Sequence, residues 1–415
     1  MNETPSSSRL QIAIFGRRNS GKSSIINALT EQTVSLVSEV AGTTTDPVRK
    51  SMELLPLGPV VFIDTAGIDD QGVLGEMRVK RTLDVLNRTD LAILVVDGAR
   101  GVGEWEKKIL GAIREKKLPV VGVVNKVDLP DYQSDLIKVW QKELGLSLIE
   151  VSSLTGRGID DLKQALIRTA PASREERPLV SDLIKPGEVV ILVVPIDSAA
   201  PKGRLILPQQ QVIRDLLDHG ALALVTREKE LSQALAGVGK KSALVITDSQ
   251  AFGEVSALIP ADTPLTSFSI IMARYKGDLD ELVRGAQAVE ALQPGDRVLI
   301  AEACTHHRQA DDLGAVKIPR WLEQKVGGKL DLHWSTGFSF PSDLKSYKLI
   351  IHCAGCMLNR REMLYRIAQA NHAGLPIVNY GVLIAYLHGI LPRALAPFLS
   401  AGDQGVGTRR DPATP

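Results

Sequence analysis

Only three cysteines occur in this chain of 415 residues, and two of them stand in His352-Cys353-Ala354-Gly355-Cys356. The third lies in Glu302-Ala303-Cys304-Thr305-His306-His307. Thiolate and imidazole are common donors to zinc and iron–sulfur centres. A C-x-H arm followed at a distance by H-C-x-x-C therefore describes a metal site, with Cys304, Cys353, Cys356, His306 and His352 as candidates. The rival readings are a redox C-x-x-C pair and small buried side chains. An odd number of cysteines makes a poor disulfide framework. Three cysteines and a histidine suit a structural zinc, although only one arm has the usual C-x-x-C spacing. Three cysteines with a weaker or exchangeable fourth donor suit a 4Fe-4S cluster with one accessible iron. Residue chemistry alone leaves zinc and iron–sulfur evenly balanced, and either histidine can equally stand behind the donors.

A second set of chemistry-bearing residues comes earlier. Gly16-Arg17-Arg18-Asn19-Ser20-Gly21-Lys22-Ser23 reads G-x-x-x-x-G-K-S, between an apolar run that predicts a strand over 10–15 and a helix-forming stretch from Ser24 to Leu29. In that context the backbone from Gly16 through Ser20, Gly21 and Ser24 can cradle phosphates, with the helix N-terminus adding partial positive charge. Lys22 is expected to reach the β- and γ-phosphates, and Ser23 with Thr44 to hold Mg²⁺. Gly42-Thr43-Thr44-Thr45-Asp46, Asp64-Thr65-Ala66-Gly67, Asn125-Lys126-Val127-Asp128 and Ser152-Ser153 follow in order, the last three just past predicted strands. Open α/β sheets bind ligands at such strand ends. The set resembles the translation-factor-like GTPases over residues 10 to about 170. Asp128 is expected to take two hydrogen bonds from guanine, with Asn125 and Lys126 supporting the base and Ser152 and Ser153 closing the pocket. Asp64 belongs to the Mg²⁺ shell, and the Gly67 N–H is placed to sense the γ-phosphate. Ile68 stands where Ras-like proteins carry a water-positioning glutamine. Asn19 instead looks like the asparagine of potassium-activated bacterial GTPases, which implies K⁺ held with backbone carbonyls near Ser38, Val40 and Thr43.

Composition bounds what surrounds these motifs. An apolar content of 44% suits a globular chain of two or three domains. A net charge of +1 and an aromatic content of 4% give no basic or stacking surface for nucleic acid. No apolar run reaches membrane-spanning length. Met1 to Arg9 lacks the basic and apolar regions of a signal peptide, so a cytoplasmic location is expected. The fold expected is α/β in three domains. A P-loop GTPase domain covers 1–172, with a polar, proline-bounded linker after it. A small, mainly parallel α/β dimerisation domain covers 183–265, where Asp197 and Asp248 read as turn and cap residues. An α/β cysteine domain covers 266–397, and a disordered tail covers 398–415. In the cysteine domain, strands over 297–301 and 349–351 deliver the two metal-binding arms. If the strands share a parallel sheet, their loops lie side by side.

Taken whole, the chain resembles the HydF family, the GTPase scaffolds of iron-only hydrogenase maturation. Three stretches carry the likeness. They are Gly42 to Val48 with Leu54-Leu55-Pro56-Leu57-Gly58-Pro59, then Ala273-Arg274-Tyr275-Lys276-Gly277-Asp278, and the C-x-H with H-C-x-x-C set. The resemblance implies a GTP/GDP site with Mg²⁺ and a homodimer through the middle domain. It also implies a 4Fe-4S cluster in the third domain. A di-iron precursor would arrive from two radical-SAM partner enzymes and pass to apo iron-only hydrogenase. The main rival is a zinc-bearing ribosome- or tRNA-associated GTPase, against which the neutral net charge stands. Another is a GTP-dependent metallochaperone for a different metal.

Overall fold

The computed structural model describes residues 6–30, 48–65, 82–171, 177–196, 205–238, 242–303, 312–337, 340–341 and 343–402. They divide into two compact units, Met1–Glu176 and Arg177–Pro415.

Six strands order the first unit: β1 Leu10–Gly16, β2 Val48–Leu54, β3 Gly58–Asp64, β4 Leu91–Asp97, β5 Val120–Asn125 and β6 Leu148–Glu150. Their spatial order is β2-β3-β1-β4-β5-β6. All neighbours are parallel except β2 with β3. The central runs β1 and β4 are apolar nearly throughout and buried at every position, as a sheet covered on both faces requires. One face packs Ile25, Ile26 and Leu29 of the helix Lys22–Thr30 with Leu162 and Leu166 of the helix Ile159–Thr169. The other packs Ile109, Leu110 and Ile113 of the helix Glu104–Glu115 with Trp140 and Leu144 of the helix Ile137–Leu144. The edge strand β2 has no apolar run to announce it. Val48, Lys50 and Met52 are half-buried while Arg49, Ser51 and Glu53 are exposed, the alternation of a strand wet on one side.

The second unit holds two parallel four-stranded sheets. The first contains β7 Val189–Val193, β8 Leu222–Thr226, β9 Ser242–Thr247 and β10 Leu265–Ser267, in the order β10-β9-β7-β8. The second contains β11 Arg297–Glu302, β12 Asp331–Thr336, β13 Leu349–His352 and β14 Ile377–Asn379, in the order β12-β11-β13-β14. A single apolar cluster joins them, running from Ile191, Val245 and Leu265 to Val298, Ile300, Ile351 and Val378. Strand β10 carries residues on both sides of the expected 265/266 boundary, because it registers with β9 through Ser267. The helix Phe268–Lys276 then runs along the seam. Phe268, Ile271 and Met272 belong to the core of the first sheet, and Ala273 to a core of the second.

The tail expected to be disordered from residue 398 instead continues the helix Leu391–Gly402. Phe398 packs against the sheet cores, and the Arg274 guanidinium lies 5.3 Å from its ring centroid, a contact that holds the last turns in place. Residues 403–415 lie outside the described residues.

Candidate functional site

The nucleotide motifs converge at the carboxyl ends of β1, β3, β4, β5 and β6, as the strand order requires. Gly16 ends β1, and Lys22 opens the following helix. The loop between them turns through left-handed backbone at Asn19, φ 63°, and Gly21, φ 87°. Only glycine fits at Gly21: a Cβ there would stand 2.1 Å from Asn125 Nδ2. Asn125 binds the loops to one another. Its Nδ2 donates to the Ser20 carbonyl at 2.9 Å, and its Oδ1 accepts from the Ser153 N–H at 3.2 Å. Asn125 thus ties together the loops after β1, β5 and β6. The Lys22 ammonium donates to the carbonyls of Gly16, 2.9 Å, and Arg17, 2.8 Å, at the mouth of the cradle.

The Ser23 hydroxyl donates to Asp64 Oδ2. Burial raises the Asp64 carboxyl above its ordinary range, opposed by the Ser23 hydrogen bond and by the Lys22 and Lys50 ammonium groups. Its other oxygen, Oδ1, is buried without a hydrogen-bond partner among the described residues. A buried carboxylate oxygen so left is costly, and a divalent cation beside Ser23 would satisfy it. The residues therefore fit Mg²⁺. Ser24 and Asp128 are exposed. Ser152 is buried and occupied locally: its N–H donates to the Arg157 carbonyl, 2.9 Å, and its Oγ accepts from the Thr155 N–H, 3.1 Å. It shapes the turn that presents Ser153. Thr43, Thr44 and Gly67, with Ser38 and Val40, lie outside the described residues.

Two supports of this pocket escaped the sequence reading. Asp97, the last residue of β4, pairs with Lys126 at 2.7 Å and accepts from the Ala99 N–H at 3.0 Å. Its place at a strand end was a usable signal. Arg17 of the phosphate loop pairs with Glu106 at 2.7 Å, and Glu106 also accepts from the Gly103 N–H at 2.9 Å. Burial raises the Glu106 carboxyl, against Gly103 and Arg17. Nothing in the spacing of residues 17 and 106 announces that contact.

The strands that precede the two cysteine motifs, β11 and β13, are parallel neighbours with Ala301 opposite His352. The Cys353 N–H donates to the Ala301 carbonyl at 3.0 Å. Cys353 Sγ in turn accepts from the N–H groups of Ala303, 3.1 Å, and Gly355, 3.4 Å. Cys304 follows Ala303 directly in the chain, but Cys304 and His306 lie outside the described residues. Burial pushes the Cys353 thiol up to about 11, with the Ala303 and Gly355 N–H groups pulling it back. Donors aimed at sulfur favour thiolate, so the site suits an anionic sulfur-ligated centre once a cation compensates the burial. Among the described residues no group of three or more His, Cys, Asp or Glu converges on one point as a metal needs.

His352 is placed beneath the loop. It is 0% exposed, with Nδ1 2.7 Å from the Cys353 carbonyl and Nε2 3.0 Å from Arg366 Nη1. A guanidinium only donates, so Nε2 accepts and the proton sits on Nδ1. Burial, reinforced by Arg366, pulls the imidazole down to about 3. In this arrangement both ring nitrogens are engaged, so His352 stands behind the cysteines and offers no lone pair to a metal. Arg366, also 0% exposed, donates to Glu362 Oε1 at 3.0 Å and to the Gly337 carbonyl at 2.9 Å. Breaking one partner out of such a buried pair costs about 3–5 kcal/mol.

Comparison with known families decides the assignment. The hydrogen maturase F dimerization-domain family matches residues 179–277, its tetramerization-domain family matches 280–397, and a 50S ribosome-binding GTPase family matches 11–126. The chain belongs to the HydF family. It combines a P-loop GTPase domain with the two self-association domains of HydF. The first domain is similar to GTPase Der of Mycoplasmopsis pulmonis, 32% identical over 188 residues, which are 42% of this chain and 43% of Der. It is also similar to the tRNA modification GTPase MnmE of Nitrosomonas europaea, 35% identical over 162 residues, 39% of this chain and 35% of MnmE. The chain thus spans less than half the length of these curated relatives. Among solved structures, the FeoB G-domain of Methanococcus jannaschii aligns with 39% of this chain and 97% of its own, at 22% identity and a TM-score of 0.31. Among the described residues no helix is long and apolar enough to cross a membrane.

Proposed function

We propose that this HydF-family chain is a GTP-hydrolysing scaffold for iron-only hydrogenase maturation. Cys304, Cys353 and Cys356 hold a 4Fe-4S cluster, and His306 completes the set or stands beside it. The observation that supports the cluster reading is the 3.1 Å contact between Cys353 Sγ and the N–H of Ala303, the residue that precedes Cys304 in the chain. When bound, the cluster would supply an iron open to an exchangeable ligand, where a di-iron precursor can attach and later leave. The chain's own part is to aim N–H donors at sulfur and to hold His352 neutral beneath the loop. Two radical-SAM enzymes deliver the precursor, and apo iron-only hydrogenase receives it. The middle domain supports a homodimer, in keeping with the dimerization family matched there, and the protein works in the cytoplasm. An anaerobic preparation is expected to hold about four irons and four sulfides per chain and no stoichiometric zinc. Zinc in place of iron would replace this reading with that of a zinc-bearing GTPase.

In the GTPase domain, Lys22 engages the β- and γ-phosphates, Ser23 and Thr44 hold Mg²⁺ with Asp64 behind them, and the Gly67 N–H senses the γ-phosphate. Asp128 selects guanine. The nucleotide acts on maturation through domain contacts or partner affinity, since it lies in a different domain from the cysteines. Asn19, presented by left-handed backbone, holds K⁺ together with carbonyls near Ser38, Val40 and Thr43. Hydrolysis is therefore expected to run faster in K⁺ than in Na⁺ at equal ionic strength. Identical steady-state rates in the two salts would remove the K⁺ site.

A further inference from the structure

We infer that Lys276 is the positioning residue of the cysteine loop, fixing its backbone and supplying its buried positive charge. This rests on the cluster reading only for the role of the charge. Lys276 closes the helix Phe268–Lys276 and is 3% exposed. An ammonium has three donors and no acceptor, and here all three are used on one loop. They go to the carbonyls of Gly355 at 3.1 Å, Cys356 at 3.1 Å and Leu358 at 2.7 Å. The three partners are neutral carbonyls, so none of them carries a negative charge that would offset the ammonium. Burial pulls the Lys276 ammonium down to about 8, and the groups whose negative charge, as thiolates, would favour its charged form are Cys356 and Cys353.

The backbone consequence is direct. In a trans peptide the N–H points opposite the preceding C=O. Three carbonyls drawn to one ammonium therefore turn the N–H groups of Cys356, Met357 and Asn359 away from Lys276. Gly355 makes the turn possible with φ 65°, and its own N–H is the one that reaches Cys353 Sγ. The fastening is reciprocal, because Arg360, just past the loop, donates to the carbonyls of Tyr275 at 2.9 Å and Gly277 at 3.0 Å on either side of Lys276. The helix that carries Lys276 is rooted elsewhere, with Phe268, Ile271 and Met272 in the core of the β7–β10 sheet. A residue from the dimerization match thus holds the cysteine loop of the tetramerization match.

The test uses the full chain, purified without oxygen, as wild type, Lys276→Met and Lys276→Arg. The first readout is amide hydrogen exchange of residues 353–359 in metal-free protein. Lys276→Met is expected to speed exchange there by about tenfold or more while leaving the first unit unchanged. The second is the reduction potential after reconstitution with iron and sulfide. Removing a buried cation beside the sulfurs is expected to move it to more negative values, and Lys276→Arg, which keeps charge and donors, should restore it. A merely structural role would leave the potential in place. Unchanged exchange in Lys276→Met would overturn the positioning role, and an unchanged potential would overturn the role of the charge. GTP hydrolysis in the other unit and the thermal melt report folding, and Lys276→Gln replaces Lys276→Met if the latter misfolds. A wild type that binds no iron would defeat the cluster reading on its own, while the exchange measurement would still decide whether Lys276 orders the loop.

Discussion

A Cys353→Ser variant purified without oxygen is expected to lose its iron and its ability to activate apo-hydrogenase, while hydrolysing GTP at the wild-type rate. The loss should be close to complete. The serine hydroxyl is a hard oxygen that remains protonated, whereas iron–sulfur centres are held by thiolates. Two structural facts make the experiment clean. The Ala303 and Gly355 N–H groups that donate to Cys353 Sγ can donate to a hydroxyl as well, so the loop loses a metal donor without being left with orphaned polar groups. The P-loop belongs to the other compact unit, so nucleotide chemistry should not register the change. The iron content, the visible absorption of the cluster and the GTPase rate are measured on one preparation. Full activation of apo-hydrogenase by the iron-free variant would end the scaffold reading.

The second large effect concerns nucleotide choice. Asp128→Asn is expected to weaken GTP binding by roughly 10⁴-fold and to favour xanthosine triphosphate. A site built to hydrogen-bond a particular group rejects an analogue that cannot answer it by about that factor. A carboxylate accepts from both the N1–H and the N2 amine of guanine. An amide offers one acceptor and one donor, and the donor suits the carbonyl that xanthine carries in place of the amine. Asp128 is exposed, and the hydrogen bonds that tie the phosphate loop to the Ser153 turn are made by Asn125. The pocket should therefore keep its shape in the variant, and the change should appear in equilibrium binding of the two nucleotides and not in the melting curve. Undiminished GTP affinity would take Asp128 out of the base pocket.

The two sites differ in how far they could be read in advance. The phosphate loop is built from consecutive residues. Its chemistry comes from backbone N–H groups and a helix start, so the string from Gly16 to Ser23 carries it without knowledge of the rest of the chain. The buried strands β1, β4 and β5 were legible for a similar reason: a strand covered on both faces must be apolar at nearly every position. Strands β2 and β12 were not. Both lie at sheet edges, where no apolar run is required: β2 alternates half-buried with exposed residues, and β12, Asp331 to Thr336, is mostly polar with only Ser335 buried. The helical end of the chain past residue 398 was also illegible, since its order depends on Phe398 meeting Arg274 and the sheet cores.

The cysteine site divides along the same line. The rarity of cysteine and the spacing within each arm were enough to single out Cys304, Cys353 and Cys356. That the strands leading to the two arms are neighbours is decided by the parallel pairing of β11 with β13. The position of His352 was open in the sequence and is set by Arg366, fourteen residues on, whose guanidinium occupies Nε2. Lys276 gave no signal as part of a metal site, because its partners Gly355, Cys356 and Leu358 are about eighty residues away and bind it through carbonyls that any residue could supply. Which atoms can ligate or cradle is a property of residue type and near spacing. Which of them are held, protonated or shielded depends on long-range packing, where backbone acceptors carry no residue identity to read.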